Sequence, residues 1–321
     1  MLTILQNKGF QVIQRGTPEA SSINAEDYDL IWIQHETIPE SVLSQETLLS
    51  EKPIVIFSHM SPFSELHIEF PYIHSLEEKY ANLIVCNSPS TADAQRPFFT
   101  ADDNKIEIYP NPSPSQFSQY SSTRTNKVLK SILVVSNHRP QELDEVLDIL
   151  RNSNIAVDTL QDISGQKQGT ITSTSLLSKY DLIISIGKTV QYCLTMGKPV
   201  YIYDQFGGPG YLNDSIFKQI AYHNFSGRQE QVNSSLIQSI HTCSIRHLSA
   251  QQIAQQIRDG YEDALQYHKS HRQQFIERYS IEHVFPRIGC ARCLAQMWSA
   301  RRRARSQCVD CMVSPSRDMS R

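Results

Sequence analysis

The chain has 321 residues, 40% of them hydrophobic and 20% charged, which is long enough for two domains with separate cores. A net formal charge of −3 argues against the basic surface of a nucleic-acid binder, so we expect no nucleic-acid partner. No apolar run approaches the roughly 20 residues that cross a bilayer, and the start lacks a signal-peptide pattern, which predicts a cytoplasmic protein.

Short β-branched runs alternate with longer mixed stretches in the first part of the chain, as is typical of βαβ units and a parallel sheet. We predict an N-terminal Rossmann-like domain over residues 1–115 and a hinge over the Pro- and Ser-rich residues 116–130. A helix is predicted within residues 71–80. The predicted strands are 10–14, 30–34, 54–58, 83–87 and 106–109.

The same alternation returns after the hinge and predicts a second Rossmann-like domain over residues 131–245. The spacing of Leu143, Val146, Leu147 and Leu150 predicts a helix with one buried face. Residues 246–286 follow as one or two helices, with Ile253, Ile257, Tyr261 and Leu265 at four-residue intervals. The predicted strands are 131–136, 156–160, 182–186 and 199–203, and the predicted helices are 141–151 and 189–196.

The densest candidate site follows the predicted strand 182–186. Gly187 permits a tight turn, and a helix that begins near Lys188 and Thr189 presents backbone N–H groups and a positive charge to a phosphate. Asp204 and a predicted glycine-rich loop, which includes Gly207 and Gly208, allow a ligand to approach the backbone. A turn, a core helix and a loop without any ligand are the alternative interpretation.

Two nucleotide-binding signatures are missing. The stretch lacks the Walker spacing, and no Gly-x-Gly-x-x-Gly occurs in the chain, which disfavours ATP and nicotinamide chemistry.

The order of strand, Gly187, helix, Gly197-Lys-Pro-Val and glycine-rich loop resembles the donor-binding half of GT-B glycosyltransferases, in particular the group-1 (family 4-like) bacterial polysaccharide class. Residues 108–117 resemble the segment that joins the two domains of that class, and residues 86–92 resemble a turn in its first domain. The resemblance covers about residues 10–285. It implies an α/β fold with two Rossmann-like parallel-sheet domains facing a cleft, followed by C-terminal helices.

The resemblance also implies a function. It predicts transfer of a sugar from a nucleotide-diphosphate sugar to a glycan or lipid-linked acceptor in surface polysaccharide or lipopolysaccharide synthesis, without a cofactor or metal. His59 then serves the acceptor hydroxyl as the catalytic residue, since imidazole accepts protons near neutral pH. His35 and Glu36 lie on the acceptor side, Glu65 is a further carboxylate candidate, and Arg139 binds the donor diphosphate. A structural histidine and a solvent-facing arginine are the alternatives for His59 and Arg139.

Two departures from the class leave other functions open. Ile184 and Tyr192 occupy the places of two expected glutamates, for which Asp204 or Gln191 is a substitute. The opening strand of the class is also missing, since the chain begins in what corresponds to the first helix. A non-catalytic or degenerate nucleotide-sugar-binding relative and a nucleotide-sugar epimerase are therefore the alternatives.

The tail, residues 287–321, differs in composition from the rest. It holds eight Arg and two Asp, hence a charge of +6, which leaves −9 for the remainder. Cys290, Cys293, Cys308 and Cys311 form two Cys-x-x-Cys pairs whose spacing is close to that of a zinc ribbon. We expect a disordered basic appendage with free thiols, structural zinc being the alternative. Contact between its arginines and anionic lipid would make the protein peripheral at the cytoplasmic face of the inner membrane.

Overall fold

The computed structural model describes residues 6, 11–15, 19, 22–34, 38–44, 53–63, 73–100, 105–120, 127–136, 139–164, 172–205, 207–227 and 248–287. The strands are β1 (Leu30–Gln34), β2 (Ile54–His59), β3 (Leu83–Cys86), β4 (Ile106–Ile108), β5 (Ser131–Val135), β6 (Ala156–Thr159), β7 (Leu182–Ser185), β8 (Val200–Asp204) and β9 (Gly207–Tyr211).

The helices begin and end close to the predicted bounds where predictions were made. Short 3-10 turns at Ala25–Asp27, Arg96–Phe98 and Phe285–Arg287 complete the described elements. The helices are α1 (Glu40–Ser44), α2 (His74–Tyr80), α3 (Pro89–Gln95), α4 (Ser115–Ser118), α5 (Gln141–Asn152), α6 (Leu160–Ser164), α7 (Thr174–Leu177), α8 (Lys188–Met196), α9 (Asp214–Tyr222), α10 (Ala250–Asp259), α11 (Tyr261–Ser270), α12 (Arg272–Tyr279) and α13 (Ile281–Val284).

The first sheet is fully parallel, and its strand order β1-β2-β3-β4 follows the chain. Alternate residues of β2 face opposite sides, as the twofold repeat of a strand requires. Val55 and Phe57 pack with α1 and α2, whereas Ile54 and Ile56 pack with residues of α13. Both faces of this sheet are therefore covered, one of them by a helix from the far end of the chain.

The second sheet has the order β6-β5-β7-β8-β9, parallel except for the antiparallel edge strand β9. The predicted stripe of α5 is buried against one face, together with α10, and α8 lies on the other face with α9 and α12. Two parallel, helix-covered sheets followed by C-terminal helices confirm the predicted fold class and are consistent with the GT-B layout.

The two halves of the chain meet where it crosses between them. Ser113 and Ser280 form a parallel bridge, and the Ser113 hydroxyl lies 2.6 Å from that of Thr195 in α8. Arg272 donates from Nη2 to the carbonyl oxygens of Ser118 (2.6 Å) and Tyr120 (2.7 Å). These bonds attach the connecting residues 113–120 to helices α8 and α12 of the second half. The domain boundaries at 115, 130, 245 and 286 stay predictions.

Three predictions of secondary structure were wrong. Residues 11–15 form no strand in the described structure. The C-terminal segment forms four helices where one or two were predicted, with breaks at Gly260, His271 and Ser280. The predicted glycine-rich loop contains strand β9, because the open edge of β8 supplies backbone partners that outweigh the low strand propensity of Gly and Pro. None of the helices in the described part of the chain is long and apolar enough to span a bilayer.

Candidate functional site

The second sheet contains a point at which the chain reverses its direction of travel across the sheet. From β5 the chain moves outward to β6 and then returns to the other side of β5 as β7. Open α/β sheets bind ligands at the carboxyl ends of strands flanking such a switch point. The Ser185 hydroxyl donates to the Val135 carbonyl at 2.7 Å and ties these two strand ends together. The topology therefore directs attention to the loops after Val135 and Ser185.

Gly187 starts helix α8 at this edge. Its backbone, with φ 59° and ψ −128°, is in a region that only glycine adopts readily, and no side chain caps the helix. Among the described residues, no atom lies within 4 Å of a Cβ added at Gly187, so the described structure leaves space beside it. The first turn of a helix leaves backbone N–H groups without intrahelical partners. Those of α8 carry the partial positive charge of a helix N-terminus.

Lys188 adds a full charge to this helix start. Its side chain is exposed, and its Nζ lies 5.7 Å from the centroid of the Tyr192 ring. Thr189, next in the helix, is buried. An exposed ammonium group next to uncapped backbone amides is suited to an anion such as phosphate. The predicted trio Gly187, Lys188 and Thr189 thus lies at one helix start.

The predicted residues from the neighbouring strand ends already have partners within the protein. Arg139, after β5, pairs its Nε with Asp144 Oδ1 at 2.5 Å. Asp204, at the end of β8, is buried and accepts hydrogen bonds from the Ser136 hydroxyl at 2.8 Å and the Gln205 backbone at 2.7 Å. These contacts hold the loops together around the end of β7. They also reduce the capacity of both charges to bind a ligand directly.

The alternative carboxylate substitute, Gln191, is also buried but keeps one unpaired acceptor. Its side chain is 1% exposed, and its Nε2 donates to Asn224 Oδ1 at 2.9 Å, whereas its Oε1 has no hydrogen-bond partner in the described part of the chain. Asn224 and Phe225 both have φ of 55°, and the Phe225 carbonyl accepts from the Gly187 N–H at 2.7 Å. The turn after α9 is therefore attached to the start of α8, a relation that no sequence spacing indicated.

Gly207 and Gly208 lie in strand β9, so they are not part of a free loop. A Cβ at Gly208 would lie 2.1 Å from the Ile202 carbonyl oxygen. Only glycine at this position therefore allows β9 to pair with β8. The Gly207 carbonyl oxygen in turn leaves no room for a side chain at Gly227, whose Cβ would lie 2.7 Å from it. Close backbone packing thus explains why residue 208 is a glycine, and no ligand is needed for that explanation.

The first sheet ends in a different environment. The sequence places His59 at a strand end facing a cleft, whereas the structure buries its ring at 1% exposure. Nε2 of His59 lies 3.1 Å from Glu77 Oε2 and 3.0 Å from Oε1, and the ring stacks on that of His74 with centroids 6.0 Å apart. Glu77 was not predicted. Its three-residue spacing from the buried His74 and Tyr80 in α2 is a signal that places it on the core face.

Several predicted residues lie outside the described part of the chain. The structure therefore gives no placement for their side chains or for residues of the basic tail after Arg287. Among the residues it does describe, no group of three or more His, Cys, Asp or Glu is arranged to hold a metal ion. The predicted residues concerned are His35, Glu36, Glu65, Cys290, Cys293, Cys308 and Cys311.

No family model and no curated protein sequence matches this chain. Among solved structures, it is similar to Anabaena HepE in complex with UDP and glucose, with 14% identity over 84% of this chain and 79% of that one, and a TM-score of 0.48. It is also similar to S. aureus MnaA in complex with UDP, with 13% identity over 87% and 79% and a TM-score of 0.43. At TM-scores below 0.5, neither similarity assigns a ligand or an activity to this chain.

Proposed function

We propose that this protein is a glycosyltransferase that binds a nucleoside diphosphate sugar at the carboxyl edge of its second sheet and transfers the sugar to a glycan or lipid-linked acceptor. The observation that carries the proposal is the open switch point between β5 and β7, where Gly187 leaves space beside an uncapped helix start and Lys188 is exposed. A diphosphate matches both features because it is anionic and rich in hydrogen-bond acceptors.

The same arrangement supports the chemistry of transfer. When the sugar leaves, negative charge accumulates on the diphosphate. Preorganised donors that face this charge lower the barrier, because they need no rearrangement as the charge develops. The helix start contributes about half an elementary charge, and Lys188 contributes a full one. Arg139 contributes less, since Asp144 already balances its charge.

The acceptor side of the proposal lies at the first sheet. His59 ends β2, and His35 and Glu36 follow directly after β1, its neighbour in the sheet. Carboxyl ends of adjacent parallel strands lie at the same edge of a sheet. We assign the acceptor hydroxyl to this edge, with His59 as the residue that contacts it.

The setting of the reaction is part of the proposal. A lipid-linked acceptor of surface polysaccharide synthesis is presented at the cytoplasmic face of a membrane. The tail carries +6 of charge, and each basic residue near an anionic surface adds about 1 kcal/mol of attraction. Peripheral contact of the protein with that membrane face is therefore compatible with the charge of this chain. The proposed reaction uses no cofactor.

Calorimetry and a turnover assay test the function. UDP, GDP and CDP are titrated into the protein, with the matching nucleosides as controls without phosphate. We expect one nucleoside diphosphate to bind and its nucleoside to bind far more weakly. Absence of binding by all three to a cooperatively folded protein would overturn the proposal.

Turnover then separates the remaining alternatives. Release of nucleoside diphosphate only when an acceptor glycan is present is the result expected of a transferase. Conversion of the sugar nucleotide to its epimer without an acceptor would make the protein an epimerase. Binding without any turnover across an acceptor panel would make it a non-catalytic relative.

A further inference from the structure

The buried pair His59 and Glu77 defines which ring nitrogen of His59 holds the proton. A carboxylate only accepts hydrogen bonds, and both oxygens of Glu77 lie within 3.1 Å of His59 Nε2. The pairing therefore places the hydrogen on Nε2. In the neutral ring, Nδ1 is then left with a lone pair and acts as an acceptor.

Nδ1 of His59 is buried and has no hydrogen-bond partner among the residues that the structure describes. Buried polar atoms in folded proteins nearly always have a partner, so an unpaired one at a strand end requires an explanation. The neighbouring imidazole offers a contrast, because His74 Nε2 is 2.6 Å from Gln95 Oε1 and its ring is packed against Phe98 and Phe99. The unpaired acceptor of His59 is thus distinct from the tightly packed His74 ring beside it.

The position of the ring is held from several sides. The His59 backbone carbonyl accepts from the Asn87 N–H at 3.1 Å, and His59 is in register with Cys86 of β3. The ring of His74 lies parallel to it, at an interplanar angle of 6°. With Nε2 bound to Glu77, the direction of the Nδ1 lone pair is set by the fold and does not depend on a freely rotating side chain.

We propose that Glu77 is a positioning residue, which holds His59 in the Nε2–H tautomer so that Nδ1 accepts a hydrogen bond from the acceptor hydroxyl. This inference rests on the proposed function for the identity of that hydroxyl, but its statement about the tautomer does not. Because the ring is 1% exposed, the hydroxyl reaches Nδ1 only after the residues that cover the ring separate.

Nitrogen NMR of protein labelled with 15N-histidine tests the tautomer directly. We expect the wild-type His59 signals of a neutral ring protonated at Nε2 at pH 7.5. Glu77→Gln keeps the size of the side chain but adds an amide donor, so a substantial fraction of His59 should change to the Nδ1–H tautomer. Glu78→Gln is the matched control, because this neighbouring carboxylate bonds Thr100 instead. It should leave the His59 signals unchanged.

A second arm tests the hydroxyl contact. Transfer rates are measured over a range of acceptor concentrations, and donor binding by calorimetry, for the wild-type protein, Glu77→Gln and Glu78→Gln. We expect Glu77→Gln to lower kcat/KM for the acceptor about two- to ten-fold and to leave donor affinity unchanged, and Glu78→Gln to leave both unchanged. Glu77→Asp, which retains the carboxylate, should keep the wild-type tautomer. If Glu77→Gln melts early, the wild-type spectrum by itself still tests the tautomer.

The outcomes separate the two claims. An Nδ1–H or doubly protonated His59 in the wild type, or an unchanged tautomer in folded Glu77→Gln, would overturn the positioning role. An unchanged kcat/KM for the acceptor in a Glu77→Gln variant whose tautomer has changed would overturn the hydroxyl contact. Failure of every nucleotide to bind would count against the proposed function and the hydroxyl contact, while the tautomer result would still decide the role of Glu77.

Discussion

The carboxyl edges of the two sheets are organised in opposite ways. At the first sheet, protein side chains occupy the edge: His59 is paired with Glu77, and His74 with Gln95, all of them buried. At the second sheet, Gly187 leaves open space and Lys188 is exposed. An edge occupied by paired side chains contributes to stability, whereas an open edge with unpaired donors and charge favours an anionic ligand.

Strand order explains the difference. The described strands of the first sheet follow one another across it, so each strand end is adjacent to the next crossover. In the second sheet the reversal between β5 and β7 sends the following helices to opposite faces and leaves a crevice between them. Topology thus accounts for the crevice at the edge of the second sheet.

The largest expected effect is on stability and concerns Gly208, which packs closely against the backbone of β8. Gly208→Ala should lower the free energy of unfolding by about 3 kcal/mol, because its Cβ would lie 2.1 Å from the Ile202 carbonyl oxygen. Chemical denaturation measures this. Gly187→Ala, with open space but a positive φ, should cost about 1 kcal/mol from the backbone alone. Equal stability of Gly208→Ala and the wild type would contradict the described pairing of β9 with β8.

The charge at the open edge gives the next effect. Lys188→Ala should weaken binding of the nucleoside diphosphate by about 1.5 to 3 kcal/mol, the contribution of a charged hydrogen bond. Calorimetry with each variant measures the change. Lys130→Ala removes the same charge from the amino end of β5, on the opposite edge of the sheet, and should leave affinity unchanged. Equal losses in both variants would indicate a general charge effect and not a site at Lys188.

Buried histidines provide a pH-dependent comparison between the two halves. Unlike His59, His268 has no hydrogen-bond partner for either ring nitrogen among the described residues, and burial, with a smaller effect of His271, lowers its pKa to about 3. The unfolded chain, with a histidine pKa of about 6.5, binds the proton more readily. Above pH 6.5, His268 therefore costs the folded state nothing through proton binding. Below that pH, the free energy of unfolding decreases as the pH falls toward 3, by at most about 1.4 kcal/mol per pH unit.

Denaturation of the wild type and His268→Leu between pH 7.5 and 5 measures this contribution. The variant should lose less stability than the wild type as the pH falls, since a leucine has no proton to bind. Parallel pH curves for the two proteins would show that His268 is not kept neutral by the fold.

The smallest effect is expected at Arg139. Because Asp144 balances its charge at 2.5 Å, Arg139→Ala should weaken diphosphate binding by less than about 1 kcal/mol. Asp144→Ala should tighten binding slightly by releasing the guanidinium group, as measured by the same calorimetry. A loss at Arg139 as large as that at Lys188 would mean that Arg139 leaves Asp144 when the ligand binds.

The amino-acid sequence was sufficient to predict most regular elements of both sheets. Buried runs such as residues 30–34 and 182–185 consist of apolar and β-branched residues, and the helical stripe of α5 appears at the predicted positions. These signals are local, since they depend on side-chain period and on residues close in the chain. Gly187 and Lys188 were predicted for the same reason, because the turn and helix start are adjacent in sequence.

Only the tertiary structure decided which of the predicted site residues are available to a ligand. His59 is buried against Glu77, Asp204 is bound by Ser136, Arg139 is paired with Asp144, and the glycines after Asp204 form an edge strand. Each of these outcomes depends on a side chain or strand edge that another element brings into contact. A local pattern identifies the residue types and the elements that carry them, whereas burial and pairing are set by packing between distant segments.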